Sequence, residues 1–182
     1  LLITGMTGGI QKGADINRRL ALAAQAYGIP MGVGSQRIAL DNPEYAPIFA
    51  VKSHAPKIFL IGNIGMAQLA DDKALDRCQR AVDMIEADAL AIHFNMVQEH
   101  IQVEGDRHFE GILKNIEKIC RKLSLPVIAK EVGCGIAPHS AKHLHEIGVK
   151  AIDIGGAGGT SWARIEGLRS SSPLVASLGS SF

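Results

Sequence analysis

Short apolar runs alternate along the whole chain with segments whose apolar positions recur at helical spacing. The apolar runs predict strands at residues 1–4, 30–33, 58–61, 87–92, 126–129 and 151–154. The helical spacing predicts helices at residues 15–27, 43–53, 72–85, 109–123 and 138–147. Because the strand segments are continuously apolar and do not alternate with polar residues, we expect a parallel sheet that is covered on both faces.

This order of elements predicts an α/β fold, and specifically a TIM (β/α)8 barrel of which about six β/α units are visible. Such a barrel needs eight units and about 250 residues, whereas the chain has 182 residues. We therefore expect an incomplete or partly unresolved barrel. The chain also begins at Leu1 without an initiator Met, which suggests a piece of a longer polypeptide. A doubly wound sheet is the alternative, although no GxGxxG follows the first strand.

Composition narrows the choice of partners and compartment. The net charge of +1 argues against a nucleic-acid-binding surface, which needs a surplus of basic residues. No apolar run approaches the length of a membrane span, so we expect no membrane partner. The three cysteines are an odd number without metal-ligand spacing, which favours free thiols and a cytoplasmic location.

The fourth predicted strand ends in an unusual group of polar residues, His93, Asn95, Gln98 and Glu99. Polar clusters at strand ends are where barrel enzymes hold their chemistry. His93 and Asn95 alternate on the strand end, so both side chains can face the mouth of the barrel, with Gln98 and Glu99 on the following loop. Taken alone, His93 is equally well a hydrogen-bonded structural histidine. One carboxylate such as Glu99, completed by substrate phosphate oxygens, is a normal Mg²⁺ arrangement.

Glycine-rich segments follow four of the predicted strands, at residues 5–9, 32–35, 62–65 and 155–159. Each alone is best interpreted as a tight turn, but four on one face of a sheet indicate a large bound cofactor. Lys130 ends the fifth predicted strand. It could form a Schiff base, stabilise an anionic reduced flavin, or pair with Glu131 or Asp153.

Seven motifs occur in the order typical of one enzyme family and cover residues 1–166. They are Met6-Thr7-Gly8-Gly9, Gly34-Ser35-Gln36-Arg37, Asn63-Ile64-Gly65, His93-Phe94-Asn95 with Gln98-Glu99, Glu104-Gly105-Asp106-Arg107, Lys130-Glu131-Val132-Gly133 and Gly158-Gly159-Thr160-Ser161-Trp162. Together they resemble the type II isopentenyl-diphosphate isomerases, which are FMN-dependent TIM-barrel enzymes. The resemblance implies interconversion of isopentenyl diphosphate and dimethylallyl diphosphate by a 1,3-proton shift, with reduced FMN, NAD(P)H as reductant, Mg²⁺, and a homo-oligomeric assembly.

The resemblance also implies a role for individual residues. The FMN contacts would be Met6, Thr7, Ser35, Asn63, Lys130 and Thr160, with Gly167 and Arg169 resembling the loop for the FMN phosphate. The substrate contacts would be Thr7, Arg37, His93, Asn95 and Gln98, of which His93, Asn95 and Gln98 would be catalytic. Glu99 would bind the metal. Because an amide is not a usual general base, Gln98 is expected to orient or relay a proton rather than act alone.

The sequence departs from the family pattern in three places. The N-terminal Arg-Lys segment that contacts the diphosphate is absent, and Met96 stands where Pro is common. We expect residues to be missing between Glu166 and Gly167, which divides the chain into an FMN-binding barrel domain at 1–166 and a remnant of a phosphate-binding region at 167–182. The alternative functions are an FMN-dependent TIM-barrel oxidoreductase and an inert barrel fragment.

Overall fold

The computed structural model describes residues 1–5, 7–103, 105, 108–158 and 160–181. Within these residues, five parallel strands form one sheet in the order β1-β2-β3-β4-β5. The strands are β1 (Met31–Gly32), β2 (Leu60–Gly65), β3 (Ala89–Phe94), β4 (Val127–Glu131) and β5 (Ala151–Asp153). Each strand therefore pairs with its neighbours in the sequence, as expected when helical segments connect successive parallel strands.

The α-helices follow the same order along the chain. They are α1 (Gln11–Tyr27), α2 (Arg37–Asp41), α3 (Ala74–Ile85), α4 (Met96–Ile101), α5 (Ile112–Lys122), α6 (Pro138–Glu146), α7 (Trp162–Arg169) and α8 (Pro173–Gly179). Short 3-10 helices occupy Pro43–Ile48, Val51–Ser53 and Met66–Leu69. In the described part of the chain, no helix combines the length and apolar composition needed to cross a bilayer.

The predicted TIM barrel with about six β/α units is wrong. The described residues form a five-stranded half-barrel sheet, and residues 1–4 contribute one bridge, between Ile3 and Met31, instead of a strand. Two residues later, the backbone at Gly5 lies directly against the Val33 carbonyl, where an added Cβ would be 1.8 Å from the oxygen. The strand order does not reverse, so the doubly wound alternative fails as well.

The sheet is curved, and both of its faces are apolar. The main core fills the space between the sheet and the helices, with Leu60, Leu90 and Ile92 fully or almost fully buried there. A second, smaller cluster of Ile61, Ala89 and Ala91 lies apart from that core and packs with Ile128. A small cavity at this cluster touches residues of all five strands. The burial of β2 and β3 agrees with parallel strands that are covered on both faces, whereas Ala151 of β5 is exposed.

Three strands continue past the points where the apolar runs end. β2 includes Asn63 and Gly65, β3 includes His93, and β4 includes Lys130. Gly65 is paired with His93, and His93 with Lys130, in a continuous parallel register. The prediction that residues 62–65 form a loop is therefore wrong, because backbone pairing continues through polar residues whose side chains face a cavity.

The C-terminal segment forms two packed helices, α7 and α8. α7 runs through Glu166 and Gly167 without interruption. Gly167 and Gly179 let the two helix backbones touch, since an added Cβ at either glycine would lie about 3 Å from the other's Cα (3.0 and 2.8 Å). The hydroxyls of Ser161 and Ser172 accept backbone N–H groups at the first turns of α7 and α8, which is the usual role of serine at a helix N-terminus.

Candidate active site

A cavity of about 440 Å³ opens where β2, β3 and β4 end. The predicted site residues that line it are Ser35, Arg37, Asn63, His93, Asn95, Gln98, Glu99, Lys130 and Thr160. The structure therefore brings together residues that are up to 125 positions apart in the sequence (Ser35 to Thr160). Glycines at 5, 8, 34, 133, 155, 156 and 158 complete much of the wall.

His93 is held at the cavity wall by Asn63. Its Nδ1 lies 2.8 Å from Asn63 Oδ1, while Asn63 Nδ2 donates to the Val33 carbonyl at 2.9 Å. Burial, together with the nearby positive charge of Lys130, lowers the pKa of His93 from its ordinary value of 6.5 to about 4. His93 is therefore a neutral imidazole at neutral pH, and Asn63, predicted to contact a flavin, uses its amide within the protein.

Asn95, Gln98 and Glu99 lie at the start of α4. Gln98 and Glu99 were predicted on a loop, and this is wrong because residues 96–101 form a helix that begins directly after Asn95. Asn95 Nδ2 donates to Glu99 Oε1 at 2.8 Å and approaches Gln98 Oε1 at 3.4 Å. The helix thus places the carboxylate one turn after the amide that holds it.

Glu99 and Asn95 have side-chain oxygen atoms that could bind a cation. Both residues are buried, and the Asn95 Oδ1 atom has no hydrogen-bond partner among the described residues. Buried polar atoms without partners are uncommon in proteins. No group of three His, Cys, Asp or Glu side chains that could hold a metal exists in the described parts of the chain. A divalent cation here would thus need further oxygens from a ligand or from water, which is usual for Mg²⁺.

Lys130 is a largely buried cation in the cavity wall. Its Nζ donates to the Glu131 carbonyl at 2.9 Å and lies 3.7 Å from Asp153 Oδ2. Of the interpretations left open by the sequence, the ion pair with Asp153 is present in the structure. The pair keeps the ammonium group at the end of β4, in the wall of the cavity.

Two functional candidates escaped the sequence analysis, and the first is Glu131. Its buried carboxylate accepts four backbone N–H groups, from Val132 through Gly135, at 2.6 to 3.1 Å from Oε2. This interaction shapes the loop after β4, which lines the cavity at Val132 and Gly133. Only the turn of the backbone brings the four amides together, so no side-chain pattern could have indicated it.

The second is Glu166, a buried carboxylate of α7 at the edge of the site. It accepts a long hydrogen bond from Gln98 Nε2 at 3.4 Å and pairs with Arg169 at 2.7 Å. Its position one helical turn after Trp162, which lines the cavity, is the signal that could have pointed to it. Arg169 and Gly167, predicted to bind a cofactor phosphate, instead contact Glu166 and Gly179.

A further predicted residue, Thr7, is not among the described residues that line the cavity. Its hydroxyl donates to Asn17 Oδ1, toward α1. The prediction for Met6 lies outside the described residues. The backbone of this segment nevertheless belongs to the wall, because Gly5 and Gly8 line it.

Comparison with known proteins finds close sequence relatives. The chain is 50% identical over 182 residues to a protein of Nostoc sp. named isopentenyl-diphosphate delta-isomerase, and 47% identical over 183 residues to one of Cronobacter sakazakii with the same name. Both alignments cover the whole chain but only 52% and 53% of those relatives. The chain thus spans about half the length of the curated relatives it matches. No family model matches it.

A similarity to a solved structure concerns the fold alone. One chain in the crystal structure of the Amycolatopsis orientalis BexX/CysO complex superposes with a TM-score of 0.50 at 14% identity. The superposition covers 98% of this chain and 64% of the other. It supports the α/β architecture of the described sheet and helices.

These findings correct the assignment to the type II, FMN-dependent enzymes. The relatives' names specify an isopentenyl-diphosphate delta-isomerase, and they mention no type, flavin, reductant or metal. The structure adds that Gly167 and Arg169 lie outside the cavity and that the Asn63 amide is engaged by His93 and Val33. The residues present therefore do not form the expected FMN site, and we assign neither FMN nor NAD(P)H to this chain.

Proposed function

We propose that this chain carries the active site of an isopentenyl-diphosphate delta-isomerase, which interconverts isopentenyl diphosphate and dimethylallyl diphosphate. The observation that carries the proposal is the identity of about half of all residues to enzymes of that name. The cavity supports it, because cationic, amide and carboxylate groups line one concave space. The positive charges of Arg37 and Lys130 suit a diphosphate. The polar group of Gln98 suits the end of the substrate at which a proton is moved.

The diphosphate would bind between Arg37 and Lys130. Arg37 begins α2 and is exposed at the cavity, where its guanidinium group can donate to two phosphate oxygens at once. Lys130 adds a second positive charge within the wall. His93 lies on the strand next to Lys130 and would contact the same end of the substrate.

Glu99 would hold a divalent cation beside the diphosphate, and such a cation would supply positive charge that neutralises the phosphates. Glu99 would contribute its carboxylate, and the Asn95 Oδ1 atom, which lacks a partner among the described residues, would be a second oxygen ligand. Asn95 also holds the Glu99 carboxylate through its Nδ2 group.

The alkene would then lie toward Gln98 and Trp162. A 1,3-proton shift requires that one carbon gains a proton while another loses one. Gln98 has no pKa near neutrality, so it would orient the substrate or relay a proton. Glu166 accepts the Gln98 Nε2 hydrogen bond and would fix the orientation of that amide, leaving the Gln98 oxygen toward Asn95 and the cavity.

The test is to incubate the purified chain with isopentenyl diphosphate and Mg²⁺ in D₂O and to follow the products by proton NMR. We expect dimethylallyl diphosphate that carries deuterium at the carbon that gains a proton. The Glu99→Gln variant should need more Mg²⁺ for the same rate, because an amide is a poorer ligand for a hard cation. No conversion by a folded chain that binds the diphosphate would contradict the proposal.

The alternatives receive less support. The close relatives are named as an isomerase and not as an oxidoreductase. A lined cavity with buried charged groups is also unexpected for an inert fragment.

A further inference from the structure

The orientation of the Asn63 amide is fixed by its neighbours. Nδ2 lies 2.9 Å from the Val33 carbonyl oxygen, which can only accept a hydrogen bond. The amide nitrogen must therefore face Val33, and the amide oxygen must face His93 Nδ1 at 2.8 Å. An exchange of the two amide atoms would place two acceptors against each other at Val33.

Gln36 holds the backbone of Asn63 in turn. Gln36 Oε1 accepts the Asn63 N–H at 2.9 Å, and Gln36 N–H donates to the Asn63 carbonyl at 2.9 Å. The Gln36 side chain is completely buried and donates to the Ala81 carbonyl at 2.8 Å, which ties this pair to α3. The position of the Asn63 oxygen is therefore fixed by contacts with Val33 and Gln36, and Gln36 is held in turn by Ala81 of α3.

An oxygen acceptor at Nδ1 requires a proton on that nitrogen. In the neutral ring the other nitrogen, Nε2, then carries a lone pair. Nε2 lies close to the backbone of Gly65, since a Cβ added to Gly65 would be 2.9 Å from it. The His93 side chain is part of the cavity lining. The groups that face the ring are Asn63 from β2, Gln68 from the 3-10 helix Met66–Leu69, and Lys130 from β4, which is itself close to Asp153 of β5.

We propose that Asn63 is a positioning residue that keeps His93 in its Nδ1–H form, so that His93 presents a hydrogen-bond acceptor to the ligand. This deepens the proposed function, because His93 lines the cavity that would hold the substrate, and the tautomer decides whether its Nε2 donates or accepts a hydrogen bond there.

Nitrogen NMR of the chain with ¹⁵N-labelled histidine tests the tautomer directly and needs no ligand or turnover. The signal of His93 is identified by its loss in His93→Gln. We expect the Nδ1–H form in the parent at pH 7 and a larger share of the Nε2–H form in Asn63→Ala. The control is Asn115→Ala, which removes an amide bonded to the Leu69 and Asp71 carbonyls and should leave the tautomer unchanged.

An Nε2–H or doubly protonated ring in the folded parent would overturn the proposal. The parent spectrum decides this even if Asn63→Ala fails to fold. Asn63→Asp provides a second variant, because its carboxylate keeps an acceptor at Nδ1. We expect it to retain the proton on Nδ1, and a neutral Nε2–H ring in this folded variant would also overturn the proposal.

Discussion

Replacing Glu131 with Gln should weaken the fold and the cavity wall together. The Glu131 carboxylate is buried, and its Oε2 accepts four backbone N–H groups of the loop after β4. Gln has the same shape but only a neutral oxygen. The substitution therefore removes the negative charge while leaving space and packing unchanged.

The size of the effect follows from the difference between ionic and neutral hydrogen bonds. A hydrogen bond to a charged group contributes about 1.5–3 kcal/mol, and a neutral one about 0.5–1.5 kcal/mol. The single Oε2 atom cannot accept four hydrogen bonds at full strength, so we count the four contacts as two full hydrogen bonds. We expect Glu131→Gln to lower the free energy of unfolding by about 2 kcal/mol. Glu131→Ala should cost about 3 kcal/mol, because water replaces the acceptor incompletely.

Urea denaturation followed by circular dichroism measures both variants against the parent. Glu146→Gln is the matched control, because Glu146 is exposed on α6. Its ion pair with Lys142 is long, at 4.0 Å, and both side chains are in solvent. We expect that control to change stability by less than about 0.5 kcal/mol. If Glu131→Gln changed stability no more than Glu146→Gln does, the four N–H contacts would not stabilise the loop as argued.

Three other expectations concern different parts of the chain. Gly34→Ala should prevent the segment at residues 5–8 from closing the cavity, because its Cβ would lie 1.8 Å from the Thr7 carbonyl oxygen, and it should reduce diphosphate binding in calorimetry. The pKa of His93 is lowered from 6.5 to about 4 in the folded chain, so the unfolded chain binds a proton at this histidine at a higher pH than the folded chain does. The free energy of unfolding should therefore fall as pH drops from 6.5 toward 4. In urea denaturation, His93→Gln should lack this part of the pH dependence. Burial raises the pKa of the Cys78 thiol to about 12, whereas Cys134 is exposed. Mass spectrometry after brief alkylation at pH 8 should therefore find Cys134 modified before Cys78, and the reverse order would contradict the described burial.

The sequence indicates which segments form strands because burial on both faces leaves a continuous apolar signature. It indicates strand ends less well. The apolar run stops at Ile92, yet β3 continues through His93 to Phe94 because its backbone remains paired with Lys130 and Glu131 of β4. Hydrogen bonding between backbones is independent of side-chain polarity. Residues that face a ligand cavity are therefore the ones that hydrophobic patterns assign to loops.

The helix α4 shows a second limit of sequence patterns. Its six residues, Met96–Ile101, are too few to establish helical spacing, and two of them, Gln98 and Glu99, are polar side chains of the site. The type and order of Gln98 and Glu99 nevertheless predicted a candidate site, and both residues line the cavity. Composition at a strand end thus locates a candidate site, whereas the backbone that presents it requires the structure.

Glycine at position 167 shows why a local motif can mislead even when its residues are real. Gly-Leu-Arg at 167–169 was predicted as a remnant of a phosphate-binding loop, because these residues resemble the FMN phosphate loop of the type II isomerases. In the structure, Gly167 is inside α7, where its N–H belongs to the helix and its missing Cβ admits the backbone of Gly179. Arg169 meets Glu166 one turn earlier on the same helix. The same two residue types serve a helix contact or an anion site, and the choice depends on whether the preceding backbone is helical. Here the hydroxyl of Ser161 accepts the Arg164 N–H and starts the helix, so the phosphate-loop conformation is not available to these residues.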